Sequence, residues 1–201
     1  MKNLSLLLFD DVEVLDFAGP FEVFSVANEL NQEKLFSIST VSLSTSTTVR
    51  AKNGLTVIAN KLFEDLDAET LASLDVLLVP GGEGVRALLK NDRLLQTIAT
   101  MKADKKIVAS ICTGALILAK AGVLKHEIGT THHLCIDELE RLEPTLTVDK
   151  EKRFYDRGHI ITSGGISTGI DMSLYLLGRL CGKDIQQQTL KYMEYDYQEN
   201  L

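Results

Sequence analysis

No stretch of this 201-residue chain is long and apolar enough to span a membrane. The N-terminal apolar segment, Leu4 to Phe9, is too short for a secretory signal and runs into Asp10 and Asp11. There is no Lys/Arg cluster, and the net charge of -7 argues against a basic nucleic-acid surface. The three cysteines, Cys112, Cys135 and Cys181, have neither disulfide-framework nor zinc spacing. No internal repeat, low-complexity tract or linker is visible. These absences leave a cytoplasmic protein with reduced thiols and no metal site as the expectation. At this length one sizeable α/β domain, residues 1–201, is expected. Hydrophobic residues make up 45% and charged residues 24%, enough to build a core.

What is present centres on one stretch, Lys106 to Gly122. Ile107, Val108 and Ala109 form an unalternating apolar run, as in a parallel strand covered on both faces. Ala115, Leu116, Leu118 and Ala119 are good helix formers, and Gly122 suits a helix end. Cys112 sits at the joint with Ser110 two residues before it and Gly114 two after. That is the form of a nucleophile elbow, whose tight turn tolerates only small neighbours and lifts one side chain above the sheet. A helix N-terminus beneath the sulfur would favour its thiolate. The alternative is a small buried core cysteine.

The rest of the chain alternates strands and helices. Strands are expected at Leu4 to Phe9, Phe36 to Val41 (nearer a sheet edge), Leu74 to Val79, Thr145 to Val148, Phe154 to Asp156 and His159 to Thr162. Thr48 to Lys52 and Leu55 to Ile58 read as a hairpin through Asn53-Gly54. The Ser42 to Thr48 run reads as a loop. Helices are expected to about Leu30 with Pro20 in the first turn, over Val85 to Leu89, Arg93 to Lys105, the segment ending near Leu142, Ile166 to Leu180, and Asp184 to Tyr192. The order predicts a mostly parallel sheet with helices on both faces. In such sheets sites lie beyond the carboxyl ends of the strands. Four segments with special residues fall there: Asp10 to Gly19, Pro80 to Gly84, Ser110 to Gly114 and Ser163 to Thr168.

Each candidate has two readings. Gly81-Gly82 is a plain turn, or a place where backbone amides meet an oxyanion. Asp16 is a helix N-cap, or a carboxyl group beside the thiol that holds a proton for sulfur. In the second case thiol and carboxyl titrate as a coupled pair. Glu22 is a second carboxyl candidate, expected to face elsewhere. His132 and His133 line a pocket or cap a helix locally, or offer a base for the cysteine. Thr113 can place a backbone N–H or hydroxyl beside the sulfur. Cys135 and Cys181 fall in helical patterns and read as packing.

Five segments together resemble the ThiJ/PfpI superfamily: Leu15 to Phe24, Asp75 to Gly82, Ser110 to Ala115, Thr130 to His133, and Ser163 to Asp171. The resemblance spans nearly the whole chain and implies a class I glutamine amidotransferase-like, flavodoxin-type fold. The chain looks most like the isocyanide hydratase branch and the ligand modules of AraC-type regulators. Peptidase-like members carry histidine after the cysteine, where this chain has Thr113. The hydratase branch pairs its cysteine with an aspartate in a Leu-Asp segment and a following threonine, which Cys112, Asp16 and Thr113 match. It usually has Thr-His-Trp where this chain has Thr131-His132-His133, a departure that bears on substrate shape. The AraC-type regulators continue into a helix-turn-helix domain. With Leu201 as the last residue, no nucleic-acid partner is expected.

The resemblance implies a homodimer acting on a small-molecule substrate without metal or organic cofactor. Cys112, Asp16 and Thr113 would be catalytic. Gly81, Gly82, His132 and Gly165 would stabilise an anion or bind substrate. The expected reaction is isocyanide to N-formamide through a Cys112 thioimidate. Glyoxalase, deglycase or amidase chemistry on the same cysteine stays open, as does a redox-sensing or ligand-binding dimer.

Overall fold

The computed structural model describes residues 1–197. The strands are β1 (Lys2–Leu8), β2 (Phe36–Ser42), β3 (Thr48–Arg50), β4 (Thr56–Ile58), β5 (Lys61–Leu62), β6 (Val76–Val79), β7 (Ile107–Ser110), β8 (Ile128–Gly129), β9 (Thr147–Val148), β10 (Phe154–Asp156) and β11 (Ile160–Ser163). The helices are α1 (Val14–Leu30), α2 (Ala68–Ala72), α3 (Val85–Leu88), α4 (Asp92–Ala103), α5 (Ala115–Lys120), α6 (Ile136–Leu142), α7 (Thr168–Cys181) and α8 (Lys183–Tyr192). None of these helices is long and apolar enough to cross a membrane.

Seven strands form one sheet in the order β10-β11-β7-β6-β1-β2-β5. All neighbours are parallel except β10, which runs antiparallel to β11 at the edge. Helices α1, α7 and α8 pack together as one layer, and α3, α4, α5 and α6 as another. Every residue of β6, β7 and β11 is buried, which is why these strands are nearly free of alternation. β2, one strand from the edge, has a buried Phe36 and a half-buried middle.

Register brings the strand ends level. Leu6 pairs with Leu78, Val79 with Ser110, and Ser110 with Thr162. The loops after β1, β6, β7 and β11 therefore emerge side by side.

Several boundaries differ from expectation. Helix α1 begins at Val14, so Pro20 lies inside it rather than in its first turn. The missing Pro20 N–H removes the bond that the Asp16 carbonyl would accept. Burial of Phe17, Gly19, Pro20, Val23 and Phe24 holds the helix across that gap. The Asn53-Gly54 hairpin forms with shorter strands, Asn53 (φ 59°) and Gly54 (φ 86°) taking the left-handed conformations its turn requires. Only Thr147 and Val148 of the expected 145–148 strand are extended. They pair with β8 outside the main sheet.

Candidate active site

At the end of β7 the chain turns sharply. The Ile111 N–H still donates to the Val79 carbonyl at 3.0 Å, but Cys112 swings to φ 55°. A non-glycine residue in this region stores strain, and the surroundings hold it there. The Cys112 N–H donates to the Gly164 carbonyl at 2.9 Å, and its own carbonyl accepts from Thr131 Oγ1 at 2.9 Å. Cys112 to Gly114 make a tight 3₁₀ turn, and the six-residue α5 follows. Gly114 is required sterically. A Cβ there would stand 2.1 Å from the Val79 carbonyl oxygen.

Asp16, in the first turn of α1, is fully buried. Its Oδ2 accepts from the Gly81 N–H at 2.9 Å, while Oδ1 is buried with no hydrogen-bond partner. Burial pushes its carboxyl up to about 7; the Gly81 N–H opposes this, Glu13 adds to it, and Cys112 and Lys52 oppose it. The Cys112 thiol is pushed up to about 12, first by burial and then by the Asp16 charge; the Thr113 N–H and hydroxyl act the other way. The helix that was to favour the thiolate is short and set back behind the 3₁₀ turn, so its dipole gives little help. The Asp16 charge raises the thiol while Cys112 lowers the carboxyl, and the two form a pair that sheds one proton easily and the second with difficulty.

The glycine amides are already engaged. Gly81 serves Asp16, and the Gly82 N–H donates to Thr113 Oγ1 at 2.9 Å. The Thr113 hydroxyl returns a 3.2 Å bond to the Gly82 carbonyl. Gly82 (φ 133°) also bridges to Val12, and a Cβ there would sit 2.3 Å from the Asp11 carbonyl oxygen.

His132 closes another side. Its ring covers Gly165, where a Cβ would come within 2.1 Å of His132 Cδ2. Nδ1 accepts from the Leu134 N–H at 3.3 Å, which leaves the proton of the neutral ring on Nε2. Burial and then His133 hold the ring below its ordinary value, so it faces the site as a neutral donor. His133 stacks beside it at 4.4 Å. Glu22 is exposed and takes no part. All three cysteines are free, and Arg86 Nη2 lies 3.9 Å from Cys135 Sγ. Among the described residues, no group of three or more His, Cys, Asp or Glu side chains is placed to hold a metal ion.

Two neighbours were not singled out from the sequence. Lys52 Nζ meets Glu13 Oε2 at 2.9 Å, and the Glu13 N–H donates to the Gly81 carbonyl at 2.9 Å. Glu13 lies three residues before Asp16 and was within reach of a sequence argument. Nothing in the sequence says that the Asn53-Gly54 hairpin folds back onto the loop after β1.

A strained cysteine on a strand-to-turn corner, paired with a buried carboxyl and ringed by the loops of four adjacent parallel strands, defines a cysteine-elbow α/β protein. Within that class the chain belongs to the DJ-1/PfpI family, which matches residues 2–179. It is 35% identical to the isonitrile hydratase of Pseudomonas putida over 194 residues, 96% of this chain and 78% of that protein. It is 25% identical over 195 residues, 97% of its length, to the HTH-type transcriptional regulator GbdR of Pseudomonas aeruginosa, of which it spans 51%. Among solved structures, Schizosaccharomyces pombe DJ-1 superposes with a TM-score of 0.84 at 21% identity, covering 98% of this chain and 100% of that one.

Proposed function

We propose that this protein hydrates isonitriles (isocyanides) to N-formamides with Cys112 as nucleophile, Asp16 as proton carrier and Thr113 beside the sulfur. The observation that carries the reading is the partnerless Asp16 Oδ1, buried beside the Cys112 thiol. The 35% identity to an isonitrile hydratase supports the same chemistry.

After the pair has lost its first proton, one proton remains between Asp16 and Cys112. Sγ attacks the terminal carbon of R–N≡C, and the new S–C bond leaves negative charge on carbon. The remaining proton goes to that carbon and gives the thioimidate R–N=CH–S. Water then adds to the same carbon. Asp16, now a carboxylate, takes a water proton and passes it to nitrogen. The C–S bond breaks, the hydroxyl proton returns to the pair, and R–NH–CHO leaves. No step builds a full oxyanion. Amide hydrolysis at the same cysteine would build one and call for free donors. The engagement of the Gly81 and Gly82 amides by Asp16 and Thr113 therefore favours isonitrile over acyl chemistry. Gly165 and the His132 ring above it would border the substrate, with Nε2–H as a donor. The proposal includes a single-domain, cytoplasmic homodimer, checked by sedimentation of the purified chain.

The test is formamide formation from a small panel of isonitriles by wild type, Cys112→Ala and Asp16→Asn. Wild-type turnover is expected, with a loss of at least about 10³-fold in Cys112→Ala and at least about 10²-fold in Asp16→Asn. Turnover of methylglyoxal but of no isonitrile would move the protein to the glyoxalase or deglycase class. No turnover, with ready conversion of Cys112 to a stable sulfinate by dilute peroxide, would make it a redox-sensing protein.

A further inference from the structure

The β3–β4 arm is tied down on the loop that precedes Asp16. The Arg50 N–H donates to Asp10 Oδ1 at 2.8 Å, the Asp11 N–H to the Arg50 carbonyl at 2.8 Å, and the Lys52 N–H to the Val12 carbonyl at 3.0 Å. This anchoring brings Lys52 Nζ to 2.9 Å from Glu13 Oε2, with the lysine side chain 40% exposed and the glutamate 19%. Glu13 is fixed in turn. Its N–H holds the Gly81 carbonyl, and the Gly81 N–H holds Asp16. A short chain of contacts thus links the ion pair to the reactive pair.

We propose that the Lys52–Glu13 ion pair is an electrostatic control for the Asp16–Cys112 pair, with Glu13 retaining the first proton and Lys52 limiting that retention. The charges support it in sign. Glu13 raises the Asp16 carboxyl, while Lys52 lowers it. The Lys52 ammonium is itself stabilised by Glu13 first, and more weakly by Glu83 and by a Cys112 thiolate. Both members also act on His132, Glu13 upward and Lys52 downward. The other groups that face the pair are the neutral His132 on the turn after β8, Glu83 on the loop after β6, and Cys135. Lys52 brings the positive charge to this set, and it arrives on an arm distant in sequence from Glu13, Asp16 and Cys112. Both are positioning residues, because neither touches the reacting atoms.

This inference rests on the pairing of Asp16 with Cys112 in the proposed mechanism, but its test does not use isonitrile turnover. The rate of Cys112 alkylation by iodoacetamide, a neutral reagent, is followed by peptide mass spectrometry from mildly acidic to alkaline pH. Cys135 and Cys181 serve as internal references. The rate should rise as the pair sheds its first proton. In Glu13→Gln the midpoint should move to lower pH, and in Lys52→Met to higher pH, each by about half a unit, or about threefold in proton affinity. Lys52→Arg should restore the wild-type midpoint. A merely structural role for the ion pair would move both variants the same way. Shifts of the same sign, no shift, or a Cys112 that stays inert across the range would each overturn the inference. Opposite shifts in a protein that turns over no isonitrile would leave it standing and remove the proposed function instead.

Discussion

At the scale of single residues, the small neighbours of Cys112 were legible because they obey a steric rule. A corner this tight leaves no room at the second position after the cysteine, and Gly114 packs against the Val79 and Pro80 carbonyls. Gly114 has ordinary helical φ, so its requirement is space and not backbone freedom. Gly114→Ala should therefore destabilise by at least about 3 kcal/mol, as over-packing against backbone does. Gly158 is the converse case, with φ 84° and nothing within 4 Å of a Cβ. Gly158→Ala should cost only about 1 kcal/mol. Urea midpoints of the two variants check the contrast, and equal losses would refute the steric account. What could not be read at this scale was which partner each amide and carboxylate takes. Gly81-Gly82 read either as a plain turn or as donors for an oxyanion, yet both amides are spent within the protein, on Asp16 and Thr113. Hydrogen-bond partners across 65 and 31 residues leave no local pattern.

At the scale of elements, the strands buried on both faces were the most legible, since a run such as Val76 to Val79 has few other uses. The two-residue strands β5 and β8 were invisible because so short a piece has no period. The start of α1 was misplaced because Gly19-Pro20 carries a strong local signal that tertiary burial overrides. The link between β10 and α7 could not have been foreseen from spacing either. Arg153 precedes β10 and bonds the carboxylate of Asp171, through Nε at 2.8 Å and again through Nη2, while the Tyr195 hydroxyl donates to the other oxygen at 3.1 Å. The Arg153 carbonyl accepts from the Gly164 N–H, and the Gly164 carbonyl holds Cys112. Arg153→Met would strip a buried carboxylate of its cation and should cost about 2 kcal/mol, reduced from the fully buried figure because the arginine is 37% exposed. Adding Asp171→Asn to that variant should recover part of the loss. A double variant no more stable than Arg153→Met would show that the buried charge is not the cause.

At the scale of the whole molecule, the site leaves its mark on how stability varies with pH. Asp16 has an ordinary value of 3.8 and a folded value of about 7. Between those values the folded chain binds a proton that the unfolded chain has lost, so stability falls as pH rises through the window. The full contribution is present below the lower value. Its loss above the upper one is on the order of 4 kcal/mol, for a shift of about three units. Cys112, raised from 9.0 to about 12, extends the decline on the alkaline side. His132 acts the other way, because a folded value below 6.5 means stability is lost as pH falls. Asp67, Glu143 and Asp149 are held below their ordinary values and likewise weaken the fold in acid. The wild-type curve is the sum of these slopes, and only a difference isolates the aspartate. Asp16→Asn keeps an acceptor for the Gly81 N–H and removes the ionisation. It should match wild type near about pH 4 and become the more stable protein by about pH 8. Urea unfolding of both proteins across that range measures it. Parallel curves would mean that Asp16 does not carry its burial as a charge penalty, and the coupled pair on which the proposed chemistry is built would lose its physical basis.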